Sequence, residues 1–455
     1  MKRQAVHFVG IGGIGMSGVA RIMKSRGSRV TGSDIRESSV IRLLRKEGIK
    51  CFVGHSRENV PDCQTVVYSS SISRNNPELE AAGERGIALK HRSKALAELT
   101  TGKNCIAVTG AHGKTTTTAL LAHVYRELGR DPEAAVGGEV INFGSNVLCG
   151  KGRDFILEAD ESDGSFLNYS PQFAILLNAD REHTDYFKDL RMTLRLYKQF
   201  VKRTSPGGTV FFNYDDPSLR SLMASFKGRK LSFGRAQGAD VRAGRIRQEG
   251  LKVIFECRLR QSQSLIEVEL PMPGSHNVYN ALAVIAVCNE SGAAVRAAAD
   301  SFASYKGTKR RFEIKETKNG FTLIEDYAHH PKEIEAVLKA CEGLGRRLVV
   351  VFQPHRYSRT RDLLPGFVRS FDLSSHLILT DIYAASEKPI EGVSSALIFD
   401  GIKRRGRQNV EYIAKDRVPE RLNAIVKRED IVLILGAGDI NEISAEFVSP
   451  EQKIR

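Results

Sequence analysis

Residues 106–121, IAVTGAHGKTTTTALL, decide how this chain reads. An apolar run ends in Thr109-Gly110-Ala111-His112-Gly113-Lys114-Thr115-Thr116, and an Ala/Leu-rich segment suited to a helix follows. The order is strand, glycine loop, helix. Gly110 and Gly113 let the backbone turn tightly and aim its N–H groups at phosphate oxygens. The helix start adds partial positive charge. Lys114 is placed to reach the β/γ-phosphates of a nucleotide, and the Thr115 hydroxyl to ligate Mg²⁺. Only Ala111 and His112 separate the two glycines, so the loop is shorter than the general GxxxxGK[ST] pattern. A helix start that merely carries a surface lysine is the plainer alternative.

The bulk composition frames that loop. A chain of 455 residues exceeds what one core usually serves and predicts about three domains. Lysine and arginine number 68 against 53 acids, a net charge of +15. Such an excess suits nucleic acid, a membrane surface or small polyanionic substrates. The basic clusters are short, as at 309–311 and 403–405, which fits solvated faces better than a nucleic-acid track. None of the seven cysteines falls in a C-x-x-C pair, so reduced thiols are expected rather than a disulfide framework or zinc site. The basic start and apolar stretch at 5–20 mimic a signal peptide, but five glycines interrupt it. No apolar run is long enough to span a bilayer. The expectation is a cytoplasmic protein with no nucleic-acid or membrane partner.

Working outward, the chain opens with a strand at 5–9, then Gly10-Ile11-Gly12-Gly13-Ile14-Gly15, then a helical segment at 19–26. This places G-x-G-x-x-G in the strand–turn–helix context of a Rossmann-type diphosphate site. Dinucleotides, flavins and nucleotide-sugars all use that motif, and some chains use it for packing alone. Asp34, ending the second strand, stands where an acid could meet a ribose hydroxyl. Residues 65–68 read as a strand ending in Ser69-Ser70-Ser71, hydroxyls that either face a diphosphate or form a polar loop. Past the phosphate loop, an apolar strand at 154–157 ends in Glu158-Ala159-Asp160-Glu161, an acid at a strand tip beside a phosphate loop, as in Walker-B sites. Another strand at 173–177 leads to His183, which reads as a ligand or as a structural histidine. Alternation over 251–270 predicts antiparallel strands. Asn277 and Asn280, near the start of a long apolar helix at 281–288, would read an adenine or cap the helix. Four further strands end in 325–331, 353–360, 381–386 and 436–439, which predicts a parallel β/α sheet with polar groups at its carboxyl edge.

Together, FVGIGGIGMSGVA (8–20), SSSISRNNPE (69–78), TGAHGKTTT (109–117), EADESDGSF (158–166), GSHNVYNALA (274–283), RRFE (310–313), DYAHHP (326–331), FQPHRYSRT (352–360) and GAGDI (436–440) resemble the Mur ligases. These are ATP-dependent amide-forming enzymes of bacterial peptidoglycan synthesis. The resemblance covers essentially the whole chain, and the shortened phosphate loop is the family's form.

The resemblance implies an α/β protein of three domains. A Rossmann-like N-terminal domain (1–102) would hold a UDP-sugar, a central P-loop ATPase-like domain (103–308) ATP, and a Rossmann-like C-terminal domain (309–455) the amino acid. Lys114 would hold the γ-phosphate within the loop Gly110, Ala111, His112, Gly113, Thr115 and Thr116. Thr115, Glu158 and His183 would ligate Mg²⁺. Asn277, Asn280 and Arg311 would lie at the nucleotide and Asp326 at its ribose. Tyr327, His329, His355, Arg356 and Arg359 would surround the reacting carboxylate and amine. Gly12, Gly13, Ile14, Gly15, Ser69, Ser70 and Ser71 would face the UDP diphosphate. Lys114, His183, His329, His355, Arg356 and Arg359 are the expected catalytic set. FQPHRYSRT favours UDP-N-acetylmuramate and L-alanine as substrates over a recycled peptide on the same sugar. The resemblance leaves monomer and homodimer equally open. An NAD(P)-dependent oxidoreductase would leave the Lys114 loop unexplained, and a nucleic-acid-binding ATPase rests on net charge alone.

Overall fold

The computed structural model describes residues 4–161, 164–180, 190–260, 265–317, 320–385 and 387–448. Two compact units emerge. One comprises residues 1–242, 258–264 and 280–305; the other comprises 243–257, 265–279 and 306–455.

The first unit opens with β1 (Ala5–Val9), α1 (Ile14–Ser25), β2 (Arg29–Asp34), α2 (Ser39–Lys46), β3 (Lys50–Val53), β4 (Thr65–Tyr68), α3 (Pro77–Glu84), β5 (Ala88–His91) and α4 (Arg92–Leu99). Its five strands are ordered β3-β2-β1-β4-β5, and all pairs are parallel. The glycine loop leaves the carboxyl end of central strand β1. Helix α1 starts at Ile14, earlier than the 19–26 segment the glycines suggested, because Met16, Val19, Ala20 and Met23 recur at helical spacing and are buried.

The same unit continues with β6 (Asn104–Thr109), α5 (Lys114–Glu127), β7 (Glu133–Val140), β8 (Ser145–Cys149), β9 (Asp154–Glu158), β10 (Phe173–Leu176), α6 (Leu190–Val201), β11 (Thr209–Asn213), α7 (Pro217–Ala224) and β12 (Arg229–Gly234). Strand β6 lies between β9 and β10, parallel to both, in the order β8-β7-β9-β6-β10-β11-β12. The phosphate loop therefore leaves β6 with the strand tips of β9 and β10 on either side. Helix α1 is tied to the β7–β8 hairpin. Arg26 donates to Glu133, with Nε 2.9 Å from Oε1, and Asn146 Nδ2 donates to the Ile14 carbonyl at 2.7 Å. One apolar cluster runs from Phe8 and Ile22 through Phe155 and Phe166 to Phe200.

After β13 (Val241–Glu249), β14 (Lys252–Leu259) and β15 (Leu265–Leu270), which neighbour one another in that order, comes α8 (Ser275–Glu290). Helix α8 begins well before the apolar run 281–288, so Asn277 and Asn280 lie inside it. Helix α9 (Val295–Asp300) follows.

The second unit carries β16 (Glu313–Glu316), β17 (Thr322–Asp326), α10 (Pro331–Glu342), β18 (Leu348–Phe352), α11 (Tyr357–Asp362), α12 (Leu364–Ser370), β19 (His376–Leu379), α13 (Ala396–Arg404), β20 (Val410–Tyr412), α14 (Val418–Ile425) and β21 (Ile431–Leu435). Its order is β16-β17-β21-β18-β19-β20, with β16 antiparallel and the rest parallel. The continuous apolar runs LVVVF and IVLIL follow from burial on both faces. Val350, Phe352 and Leu433 pack into one core layer, while Val349, Val351 and Val432 pack into the other. Every described cysteine is a free thiol. Among the described residues, no helix is long and apolar enough to cross a membrane.

Candidate active site

The phosphate loop is held from both sides. Gly110 (φ 142°) passes so close to β10 that a Cβ would sit 2.9 Å from that of Leu177 and 3.1 Å from the Asn178 nitrogen. Asn178 closes the contact. Its Oδ1 accepts from the His112 amide at 2.8 Å, and its Nδ2 donates to the His112 carbonyl at 2.9 Å. Gly113 (φ 84°) caps α5, and a Cβ there would meet Asn280 Oδ1 at 2.6 Å. Asn280 also accepts from Thr117 Oγ1 at 3.1 Å, which pins α5 to α8.

The chemistry-bearing groups gather at that loop. Lys114 Nζ lies 2.7 Å from the Gly110 carbonyl and 3.1 Å from Glu161 Oε1. Glu161 is buried and also accepts from Thr109 Oγ1 at 3.3 Å. Burial raises the Glu161 pKa above its ordinary value, although Lys114 pulls it down. Thr115 Oγ1 donates to Glu158 Oε2 at 2.9 Å, and the Gly137 amide donates to the same oxygen at 3.0 Å. A hydroxyl and a carboxylate at this spacing are hard oxygen donors of the kind Mg²⁺ takes, usually with water completing the shell. His183 lies outside the described residues. His112 Nε2 is 3.4 Å from Asp180 Oδ2. Thr116 is half-buried on the first turn of α5.

The N-terminal glycine loop is fixed by β2. The Ser33 carbonyl accepts from both Gly10 and Ile11 amides at 2.9 Å. Asp34 Oδ2 accepts from the Gly12 amide at 2.8 Å. Asp34 thus closes the loop through Oδ2. Gly13 and Ile14 are exposed; Gly15 lies under the Arg92 guanidinium, with a Cβ there 2.9 Å from Nη1. Ser70 and Ser71 are exposed and Ser69 half-buried, and Ser70 Oγ is 3.0 Å from His91 Nε2. Beneath the loop, fully buried Glu78 accepts from Ser33 Oγ (2.5 Å) and Asn59 Nδ2 (2.8 Å), with His7 Nε2 at 3.3 Å. Burial alone would raise the Glu78 pKa, but the hydrogen bonds from His7, Ser33 and Asn59 outweigh it and hold it near 2.

In the second unit, the tips of β17 and β18 meet in a run of rings. Tyr327 and His329 are edge-on at 5.5 Å, His329 and His355 lie 5.7 Å apart, and His355 stacks on Tyr383 at 5.7 Å. The Arg310 and Arg311 guanidinium carbons lie 5.0 and 5.1 Å from the Tyr327 ring centre. Arg359 Nη1 is 3.1 Å from His355 Nδ1, and Arg356 (φ 70°) donates its amide to the Tyr383 carbonyl. His330, adjacent to His329, instead caps α10 in a capping box with Glu333. Asp326 accepts from the Phe312 and Ala328 amides at 2.7 and 2.8 Å. Burial pushes its pKa up to about 6 despite Arg311. Asn277 Nδ2 donates to the Pro273 carbonyl at 2.7 Å, a contact that caps the entry to α8.

The structure therefore brings Lys114, Thr115, Glu158 and Asn280 together in the first unit, and Tyr327, His329, His355 and Arg359 in the second. Glu161, Arg92, His91, Arg310 and Tyr383 carry these groups without having been singled out from the sequence. All but one of them sit at or just beyond the carboxyl end of a parallel strand, the signal that would have found them. Arg310 lies ahead of β16 and becomes visible only through its contacts with Tyr327 and with the carbonyls of Gly436 and Gly438.

The chain that carries these groups matches the models of a ligase family. Residues 5–104 match the model described as Mur ligase family, catalytic domain. Residues 108–288 match the Mur ligase middle domain, and 310–438 the Mur ligase, glutamate ligase domain. The chain belongs to the Mur ligase family. Its curated relatives include a UDP-N-acetylmuramate--L-alanine ligase of Anaeromyxobacter sp. (strain Fw109-5), 41% identical over 97% of both chains. Another, of the same name, from Sulfurihydrogenibium sp. (strain YO3AOP1) is 40% identical over 99% of both. Among solved structures, the UDP-N-acetylmuramate-alanine ligase of Thermotoga maritima superposes with a TM-score of 0.83 at 29% identity, covering 99% of this chain and 100% of that one. A murein peptide ligase of Psychrobacter arcticus shares the fold, with a TM-score of 0.73 at 24% identity over 97% and 98% of the two chains.

Proposed function

We propose that this chain joins the carboxylate of UDP-N-acetylmuramate to the amine of L-alanine, using ATP, in the synthesis of peptidoglycan precursors. The observation that carries the reading is the loop in which Lys114 meets Glu161 and Thr115 meets Glu158, in a chain whose full-length relatives are alanine-adding ligases. A carboxylate is a poor electrophile in water. Transfer of the ATP γ-phosphoryl group makes it an acyl phosphate with a good leaving group, and the amine then displaces phosphate. Bringing two anions together requires positive charge at the phosphates. Lys114 supplies it at the γ-phosphate, within the amides of 110–116. Thr115 and Glu158, with His183, would hold Mg²⁺, which when bound spreads the phosphate charge. Asn277, Asn280, Arg311 and Asp326 serve the nucleotide. The loop 12–15 and Ser69, Ser70 and Ser71 serve the UDP diphosphate, with Arg92 adding charge. Tyr327, His329, His355, Arg356 and Arg359 serve the acid and the amine.

ADP release measured with ATP and Mg²⁺ tests this. It should require UDP-N-acetylmuramate and L-alanine together; no stimulation by the pair rejects the reading. Release driven better by a tripeptide than by alanine would move the assignment to the peptide-attaching ligases, whose fold this chain shares.

A further inference from the structure

The two imidazoles of the second unit are held in opposite tautomers. His329 Nδ1 lies 2.9 Å from the Tyr327 carbonyl oxygen. A carbonyl only accepts, so Nδ1 carries the proton and the lone pair is on Nε2. His355 Nδ1 lies 3.1 Å from Arg359 Nη1. A guanidinium only donates, so here Nδ1 bears the lone pair and Nε2 the proton. Two rings 5.7 Å apart therefore offer different atoms: His329 an acceptor, His355 a donor.

We infer that His329 Nε2 is the base that takes the proton from the alanine nitrogen as it attacks, while His355 serves through Nε2–H as a hydrogen-bond donor and not as a base. This rests on the ligase reading proposed above. The alanine ammonium first gives up one proton to water; the free amine then attacks the acyl carbon and forms the C–N bond, leaving its nitrogen positively charged and acidic. His329 Nε2 accepts that proton. The C–O bond to phosphate breaks, and its electron pair leaves with phosphate. The imidazolium then returns its proton to phosphate or water. Glu333 Oε2, 3.6 Å from His329 Nδ1 and accepting from the His329 amide at 3.0 Å, orients the ring and stabilises its charged form. Arg311 and Arg359 act against that charge. Burial above all, and then His329 and the charges of Arg359, Arg356 and Arg310, disfavour a positive charge on His355. Burial first, then these neighbours, lower His329 to about 4 and His355 to about 3, so both rings are neutral near pH 7.

The test compares L-alanine with hydroxylamine, whose less basic nitrogen gives a more acidic adduct that sheds its proton to water with less need of a base. With His329→Gln, amide formation should fall about 10²–10⁴-fold, while hydroxamate formation stays within a few-fold of wild type. Equal losses with both nucleophiles, or no loss with either, overturn the inference. If wild type makes neither amide nor hydroxamate, the ligase reading itself fails. Nitrogen-15 spectra of histidine-labelled wild-type protein read the tautomers without relying on the variant's folding. An Nε2–H tautomer at His329 overturns the inference as well.

Discussion

Lys114 Nζ and Glu161 Oε1 face each other at 3.1 Å across the mouth of the phosphate loop, with the carboxylate buried. The pair joins the first residue of α5 to the segment after β9, so the lysine is held over the loop by an acid from the neighbouring strand. Under the proposed function, removing its charge takes away the cation at the γ-phosphate. Lys114→Ala should lower ADP release driven by UDP-N-acetylmuramate and L-alanine by at least about 10²–10³-fold. Wild-type turnover in this variant would remove the lysine from the mechanism. Glu161→Gln keeps the shape but loosens the lysine, and should cost less than Lys114→Ala in the same assay.

The Thr115–Glu158 contact at 2.9 Å makes a separate prediction. If these oxygens hold Mg²⁺, Thr115→Val should raise the Mg²⁺ concentration needed for half-maximal activity by about 10-fold or more. Titrating Mg²⁺ at saturating ATP checks this. A variant slowed equally at every Mg²⁺ concentration would place Thr115 outside metal binding.

Much of this architecture could be read from residues. The strand–loop–helix order around Lys114 follows from an apolar run, two glycines and a helix former. The parallel sheet of the second unit follows from LVVVF and IVLIL, too apolar for a sheet with one wet face. What could not be read depends on long-range contacts. The spacing that puts Asp34 at a strand end does not show that the turn brings the Gly12 amide within 2.8 Å of its carboxylate. His329 and His330 are equivalent in sequence, yet one joins the ring series and the other caps α10. Periodicity cannot separate neighbours whose partners come from other elements. The early start of α8 was missed because Ser275, His276 and Asn277 lack the apolar signal that marks the rest of the helix.

Glu78 couples the N-terminal fold to its glycine loop, since the Ser33 it grips also holds the Gly10 and Ile11 amides. Glu78→Gln should cost about 3 kcal/mol, from a buried hydrogen-bonded carboxylate losing its charge, and raise the KM for the UDP-sugar more than that for ATP. The folded pKa lies near 2 against 4.5. Its contribution is therefore present above pH 4.5 and is lost as pH falls from there toward 2. Acid unfolding followed by circular dichroism should be steeper in that window for wild type than for the variant. Identical curves would show that Glu78 carries no such load.

The histidine pair predicts a pH dependence at milder acidity. Both rings stay neutral when folded, with values lowered from 6.5 to about 4 and about 3, so the unfolded chain binds more protons below pH 6.5. Stability then falls as pH drops. Asp326, raised from 3.8 to about 6, acts the other way across that interval. Near pH 5 the two histidines and the one aspartate leave a net difference of about one proton, a slope of about 1.4 kcal/mol per pH unit from these three groups. His355→Gln removes one histidine from the balance and should flatten the slope to near zero. Denaturant midpoints at pH 5 and 6 for both proteins measure it, and parallel slopes would refute the coupling.

Gly113 offers the sharpest local test of the loop. Its φ of 84° is unfavourable for any residue with a Cβ, and that atom would lie 2.6 Å from Asn280 Oδ1. Asn280 cannot easily yield, because the same oxygen accepts from Thr117 Oγ1. Gly113→Ala should therefore cost about 1–2 kcal/mol of backbone strain, with the contact to Asn280 adding to it, and displace the loop amides that the proposed function sets at the phosphates. The expected result is a lower melting temperature together with a raised KM for ATP, while the KM for L-alanine changes little. Asn280→Ala relieves the contact but not the φ. The double variant should recover part of the stability and none of the loop geometry that depends on a left-handed residue at 113. Full recovery would mean that the Asn280 contact, and not the backbone conformation, sets the requirement for glycine there.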